Sequence, residues 1–335
     1  MRRLYTISFL IAAAGLTFTS CTKTNIRTNP NNTPVLNGTV QKDIVYGSNV
    51  DYYSNNEDLK FDLYTPEASM AQANGKYPLY VWVHGGAFLV GGKADGANEM
   101  IMMTNNGFIS AAINYRLGWN RDQDADMCSG DSASLKEAIY RAIQDLNASI
   151  RFLVANADKY KIDTSEIFVG GSSAGGVTIL NTKYITQEYA NQMVPGAIAK
   201  FGYLNSADNN LKNTFTIKGM VSEWGGINDQ NRLNAANVVP TIFFHGELDN
   251  VIPYDIGTVF QCPDQLPVYG AKPLYNRITS LGSNAEAYID PNSGHGVYDD
   301  QFRADKATAF LKDIIKKNRK SGFYIVDGPD FVNGK

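Results

Sequence analysis

A serine enclosed by small residues stands in Gly171-Ser172-Ser173-Ala174-Gly175-Gly176, directly after an apolar stretch that predicts a strand and before a helical one. The spacing fits G-x-S-x-G, the arrangement that presents a nucleophilic hydroxyl on a sharp strand-to-helix turn. Such a turn folds the backbone back on itself, so the residues two positions either side of the serine must lack bulk, as Gly171 and Gly175 do. Ser173, and not Ser172, occupies the centre of that frame. The helix that follows aims its first N–H groups at negative charge forming beside the serine. The same pentapeptide also occurs as an ordinary Gly-rich connection, so its meaning depends on what the chain brings to it.

A second glycine turn closes another apolar strand, where Tyr80-Val81-Trp82-Val83 runs into His84-Gly85-Gly86-Ala87-Phe88. With both motifs in matching places, the chain resembles the carboxylesterases and related HGG-type esterases of the α/β-hydrolase superfamily. Their His-Gly-Gly-Gly segment donates backbone N–H groups to the oxyanion of the tetrahedral intermediate. The resemblance implies an oxyanion hole formed by the N–H groups of Gly86, Ala87 and Ala174. Ala87 stands where a third glycine is usual, and it keeps the N–H while narrowing the permitted backbone. The resemblance extends from about Leu59 to Lys317.

The chain has three histidines. His84 belongs to the oxyanion turn, and His245 continues a strand, where a packed or hydrogen-bonded structural role is expected. His295 remains as the base, in the loop Asp290-Pro291-Asn292-Ser293-Gly294-His295-Gly296 between the last expected strand and the final helix. The orienting carboxylate is Asp249, in a segment that resembles the acid loop of the same superfamily and follows the seventh expected strand. Glu247 lies two residues closer to the strand, and Glu223 at the end of the preceding strand is the main alternative. The order Ser173, Asp249, His295 is that of the α/β-hydrolase fold and differs from the orders in trypsin-like and subtilisin-like proteases.

These parts predict a carboxylic-ester hydrolase working through an acyl-enzyme: His295 takes the Ser173 proton, and water activated by His295 later releases the acid. No cofactor is needed, and no Cys-x-x-Cys or His-rich cluster suggests a metal. The same fold hosts peptidases and amidases, and some relatives are silent binding proteins, so the ester substrate rests on the HGG-type resemblance. Where the cholinesterase-like branch has Glu before the nucleophile and Glu as the acid, this chain has Ser172 and Asp249. That difference favours smaller bacterial esterases, including those that remove acyl or feruloyl groups from polysaccharides. The expected substrate is therefore a small-molecule or polysaccharide-linked ester.

Eight strands must position these residues. A pair around 43–46 and 59–64 suggests an antiparallel opening; fuller apolar runs at 79–83, 108–114, 167–170, 217–222, 241–244 and 286–289 alternate with helical patterns. This predicts a mostly parallel eight-stranded sheet covered by helices on both faces, the α/β-hydrolase architecture. The clearest helices are 134–157 and 301–317; in the first, Leu135, Ala138, Ile139, Ala142, Ile143, Leu146 and Ile150 trace one face. Residues 224–239 leave little room for a cap domain between strands six and seven. An open pocket is expected, edged by loops 118–131 and 181–216, with Trp224, Trp119 and Phe88 as candidate walls.

Arg2 and Arg3 precede an apolar run from Leu4 to Phe18 that is short for a bilayer span, which predicts a signal peptide over residues 1–20. The run ends in Thr19-Ser20-Cys21, which resembles a bacterial lipobox, so Cys21 is the expected lipidation site and the protein is expected to be exported and anchored to a bacterial membrane, periplasmic or at the cell surface. Residues 21–42, rich in Thr, Asn and Pro, read as a tether, and 43–335 as one catalytic domain. Cys128 and Cys262 lie in loops of an exported chain, and their pairing stays open at this level. With a formal charge of −3 and scattered Lys and Arg, nothing in the sequence favours a nucleic-acid partner.

Overall fold

The computed structural model describes residues 33–122, 126–318 and 320–327. Eleven strands follow in chain order: β1 (Gly38–Val50), β2 (Asn56–Pro66), β3 (Tyr77–Val83), β4 (Ile109–Ile113), β5 (Ile162–Ser172), β6 (Ile217–Glu223), β7 (Thr241–Gly246), β8 (Ile256–Thr258), β9 (Pro267–Tyr269), β10 (Ala285–Asp290) and β11 (Gly322–Ile325). The helices are α1 (Ala97–Asn105), α2 (Ser132–Ala155), α3 (Ala157–Tyr160), α4 (Ala174–Tyr184), α5 (Gln187–Met193), α6 (Ala197–Phe201), α7 (Ala271–Ser280) and α8 (Asp300–Ile315).

Nine strands form one sheet in the order β1-β2-β4-β3-β5-β6-β7-β10-β11. The pairs β1–β2 and β2–β4 are antiparallel, and the others are parallel. Strands β3, β4 and β7 are buried at every position, as a sheet covered on both faces requires. One face packs Leu146, Ile150, Ile179 and Leu274 from α2, α4 and α7; the other packs Met100 and Met103 of α1 against Phe310 and Leu311 of α8. Each such buried side chain contributes roughly 1.5–3 kcal/mol of hydrophobic free energy.

Two expectations need correction. The sheet has nine strands and not eight, because Gly322–Ile325 adds in parallel to β10; its apolar side chains stay partly exposed, so no buried apolar run marks it. The reading of 21–42 as tether overlaps β1, which begins at Gly38 and pairs with β2 from Gly38↔Pro66 onward. Residues 38–43 are exposed; the ladder with β2 holds Gly38 to Gln41, and the Asp43 carboxylate meets Lys93 at 3.2 Å. The signal segment, Cys21 and most of the tether lie outside the described residues. The face of α2 running from Leu135 to Ile150 is buried, and most of the rest of the helix is buried too: Arg116 donates from Nε to Asp145 Oδ1 at 2.9 Å, and from Nη2 to Asp208 Oδ1 at 3.0 Å. Its polar face thus carries internal ion pairs instead of meeting water.

Between β6 and β7 the chain makes one short 3₁₀ turn, Gln230–Arg232. The excursion comes one connection later: β8 and β9 pair antiparallel between β7 and α7, and their loop reaches back toward loop 118–131. Cys262 of that loop is disulfide-bonded to Cys128.

Candidate active site

Ser173 sits between β5 and α4 at φ 53°, ψ −117°, a conformation that is costly for an L-residue and is characteristic of a strained elbow. The elbow is held from β6, because the Ser173 N–H donates to the Glu223 carbonyl at 2.9 Å. Gly175 packs directly on the end of β3; a Cβ there would collide with the Val83 carbonyl. Only glycine lets α4 start so close to the strand.

His295 and Asp249 arrive from the ends of β10 and β7. His295 Nε2 lies 2.7 Å from Ser173 Oγ, and its Nδ1 lies 2.8 Å from Asp249 Oδ2. The His loop is shaped by Asp290, whose carboxylate accepts from the Asn292 N–H at 2.9 Å and from the Ser293 hydroxyl at 2.7 Å. The other Asp249 oxygen accepts the N–H groups of Val251 at 2.8 Å and Ile252 at 3.0 Å. His245 Nε2 stands 3.1 Å from Asp249 Oδ2 and 2.9 Å from the Ile252 carbonyl, so the second histidine braces the acid loop. Burial opposes ionisation of Asp249, yet hydrogen bonds from His245 and His295 outweigh it and hold the carboxyl well below the usual range. A permanently ionised Asp249 is what orients His295 and offsets the imidazolium that forms when it takes a proton.

The alternatives fall elsewhere. His84 is fully buried, its ring stacked on Tyr115 at 4.3 Å and its Nδ1 2.7 Å from the Gly85 carbonyl. Burial pushes its pKa below the ordinary imidazole value. Glu223 accepts from Arg303 Nε at 3.1 Å and shares a buried cluster with Glu99, which takes the Tyr80 hydroxyl at 2.7 Å. Burial and the neighbouring Glu223 push the Glu99 carboxyl well up. A carboxyl raised on folding binds its proton more tightly in the native state, so its stabilisation is full below about pH 4.3 and is lost as pH rises. Thermal melting from pH 5 to 9 should therefore show a decline in stability with a slope of up to about 1.4 kcal/mol per pH unit. Glu99→Gln should flatten that decline; an unaltered slope would refute the raised Glu99 carboxyl.

The Gly86–Ala87 turn closes on Ser173. Gly86 has φ 99° and Ala87 φ 52°, and the Gly86 carbonyl accepts from Leu89 at 2.9 Å and Val90 at 3.1 Å. A Cβ built on neighbouring Gly85 would lie 3.2 Å from Ser173 Cβ. Ala87 and Ala174 line one pocket with Ser173, and Gly86 and Ala87 line a second with it, so both expected oxyanion segments border the serine. A side chain on Gly86 would strike the Val90 carbonyl and shift the turn. Gly86→Val is expected to lower kcat by about 10²- to 10³-fold, the cost of a lost oxyanion donor, with little change in KM. Stopped-flow or steady-state kinetics on one ester would show it.

Two compartments meet at Ser173. The inner one is apolar, lined by Phe88, Trp119, Ile139, Val177, Phe260 and Leu266 among others. Its polar side chains beyond Ser173 are Asn181 and Asn228, both engaged by Arg232 Nη2. The outer one is an open groove with Leu89, Asp95, Arg121, Ser172, Trp224 and His295. Phe88 and Trp119 thus wall the inner pocket, and Trp224 the groove, where its ring meets His295 edge-on at 6.3 Å. Val259, Phe260 and Leu266, from the β8–β9 excursion, escaped the sequence reading; Cys262 was the sole signal there.

A family model described as BD-FAE matches residues 61–262. Among curated proteins the chain is similar to Carboxylesterase 1C of Rattus norvegicus, 26% identical over 51% of this chain and 29% of that one. It is also similar to Secreted lipase 5 of Gibberella zeae, 25% identical over 58% of this chain and 33% of that one. It therefore spans about a third or less of the length of these relatives. Among solved structures, Thermogutta terrifontis esterase 2 phosphorylated by paraoxon superposes with TM-score 0.55 at 18% identity, covering 83% of this chain and 94% of that one. A truncated carbohydrate esterase from gut microbiota gives TM-score 0.54 at 18% identity, covering 87% of this chain and all of the other. These likenesses establish the α/β-hydrolase fold.

Proposed function

Because the chain belongs to the BD-FAE family, we propose that it is a serine carboxylic-ester hydrolase in which Ser173 is the nucleophile, His295 the base and Asp249 its orienting acid. The observation that carries this reading is the continuous chain Ser173 Oγ, His295, Asp249, at 2.7 and 2.8 Å, placed where an apolar pocket and an open groove join. Ser173 attacks the ester carbonyl while His295 Nε2 takes its proton; the oxyanion forms beside Gly86, Ala87 and Ala174. Collapse passes the proton from His295 to the leaving alcohol, and water repeats the sequence to free the acid. The acyl group occupies the apolar pocket and the alcohol leaves through the groove.

The open groove suits an alcohol that is part of a polysaccharide, which agrees with a carbohydrate esterase among the structural neighbours. The butyrate and propionate complexes of the Thermogutta terrifontis enzyme favour short acyl groups as first substrates. Export through the segment 1–20 and lipid anchoring at Cys21 would bring the enzyme to external substrates; mass spectrometry of the mature N-terminus tests this, and an unmodified chain starting elsewhere rejects it. The activity is tested by fluorophosphonate labelling of Ser173 and by parallel assays on a p-nitrophenyl ester and the matched anilide. Labelling with ester turnover is the expected result. Faster anilide cleavage would favour a peptidase or amidase, and absence of labelling a silent binding protein.

A further inference from the structure

We propose that Phe260 is the specificity-determining partition between the two compartments, and that the Cys128–Cys262 disulfide, by holding Phe260 in place, sets the size of acyl group accepted. This rests on the esterase reading above. Four residues line both the apolar pocket and the groove: Ala87, Ser173, Val251 and Phe260. Phe260 is the one bulky side chain among them, so its ring limits the passage beside the nucleophile.

The position of that ring is imposed from outside its own segment. Phe260 has φ 55° and Gln261 φ 59°, two successive left-handed residues, neither of them glycine. Such a pair persists only where surrounding structure over-determines it. Here Cys262, two residues on, is bonded to Cys128 across 134 residues of chain, with the Cα atoms 5.5 Å apart. The Phe260 ring stacks on Trp119 at 5.9 Å and 21°, and the Arg121 guanidinium lies 4.7 Å from its centroid. The Gln265 amide donates to the Gly130 carbonyl, joining the same two segments again. The Phe260 N–H donates to the Val251 carbonyl at 2.8 Å, which ties the partition to the acid loop.

Cys262 is buried, but Cys128 is exposed, so a thiolate can attack the disulfide at the Cys128 sulfur. A dithiol reductant forms a mixed disulfide with Cys128, releasing the Cys262 thiol. Its second thiol then displaces Cys128, leaving two protein thiols and one oxidised, cyclic reductant. With the cross-link open, Phe260 and Gln261 can relax from the left-handed region, and the pocket and groove merge. Longer acyl chains then gain room that the oxidised enzyme denies them. Rejection of a single methylene by a tight apolar pocket is worth about 10- to 200-fold in kcat/KM, so the effect is measurable.

The test compares kcat/KM for p-nitrophenyl acetate, butyrate and octanoate in oxidised enzyme, in enzyme reduced with dithiothreitol, and in Phe260→Ala. The octanoate-to-acetate ratio is expected to rise about tenfold or more in both altered forms. The Cys128→Ser/Cys262→Ser double variant should match the reduced enzyme; if it does not fold, the other two arms carry the comparison. A ratio unchanged within about twofold in Phe260→Ala and in reduced enzyme, with acetate still hydrolysed, overturns the partition while leaving the esterase reading intact. If wild-type enzyme hydrolyses none of the three esters and Ser173 resists fluorophosphonate, the esterase reading itself falls, and the partition with it.

Discussion

Ser173→Ala is expected to lower ester turnover by about 10⁶-fold while leaving the protein folded. The elbow is held by backbone, through the Ser173 N–H to the Glu223 carbonyl at 2.9 Å, and alanine keeps that bond. The hydroxyl's one recorded partner is His295 Nε2, so its removal leaves no other protein group stranded. What disappears is the nucleophile, and no neighbour replaces it: Ser172 is one residue off the elbow's apex, at the end of β5. The oxyanion segments and the apolar pocket stay in place, so ester binding should survive with KM little altered. Steady-state kinetics and fluorophosphonate labelling, with melting temperature as the folding control, decide the matter. Turnover within a hundredfold of wild type would remove Ser173 from the mechanism.

Asp249→Asn should reduce kcat by about 10⁴-fold, the magnitude seen when a triad carboxylate becomes an amide in a trypsin-like protease. The reason here is geometric. Val251 and Ile252 both donate N–H to Asp249 Oδ1, so an asparagine must put its carbonyl oxygen there. Its NH₂ then faces His295 Nδ1 and His245 Nε2, in the place of Oδ2. His295 is forced to accept at Nδ1 and to carry its proton on Nε2, toward Ser173. That tautomer cannot take the serine proton. The loss should fall on kcat, and KM should stay near wild type; an effect smaller than tenfold would transfer the orienting role to another group. Stability should respond as well. A carboxyl depressed on folding contributes stability above its unfolded pKa, near 4, and loses it as pH falls; Asp249 thus acts opposite in sign to Glu99.

Much of the site was legible because the chemistry leaves short-range marks. Gly171, Ser173 and Gly175 are fixed by one turn, and Gly86 and Ala87 by another, so each motif is complete within a few residues. With three histidines in the chain, elimination was enough to reach His295. The parallel strands showed as apolar runs because both sheet faces are covered, which is also why the exposed edge strands β1 and β11 were under-read. They are held through backbone pairing with β2 and β10 more than through burial of their own side chains, so no apolar run announces them.

The sequence by itself marked the Ser173 elbow, the two glycine turns and the parallel core, which follow from local backbone sterics or from the period of apolar residues, while Asp249 was reached through the family resemblance. Only the tertiary structure decided that Glu223 pairs with Arg303 and Glu99, that His245 braces Asp249, and that Cys128 meets Cys262. It alone placed Phe260 between pocket and groove. These are contacts between residues brought together from separate strand ends and loops. A carboxylate or an aromatic ring carries no local sign of the partner that folding will set against it.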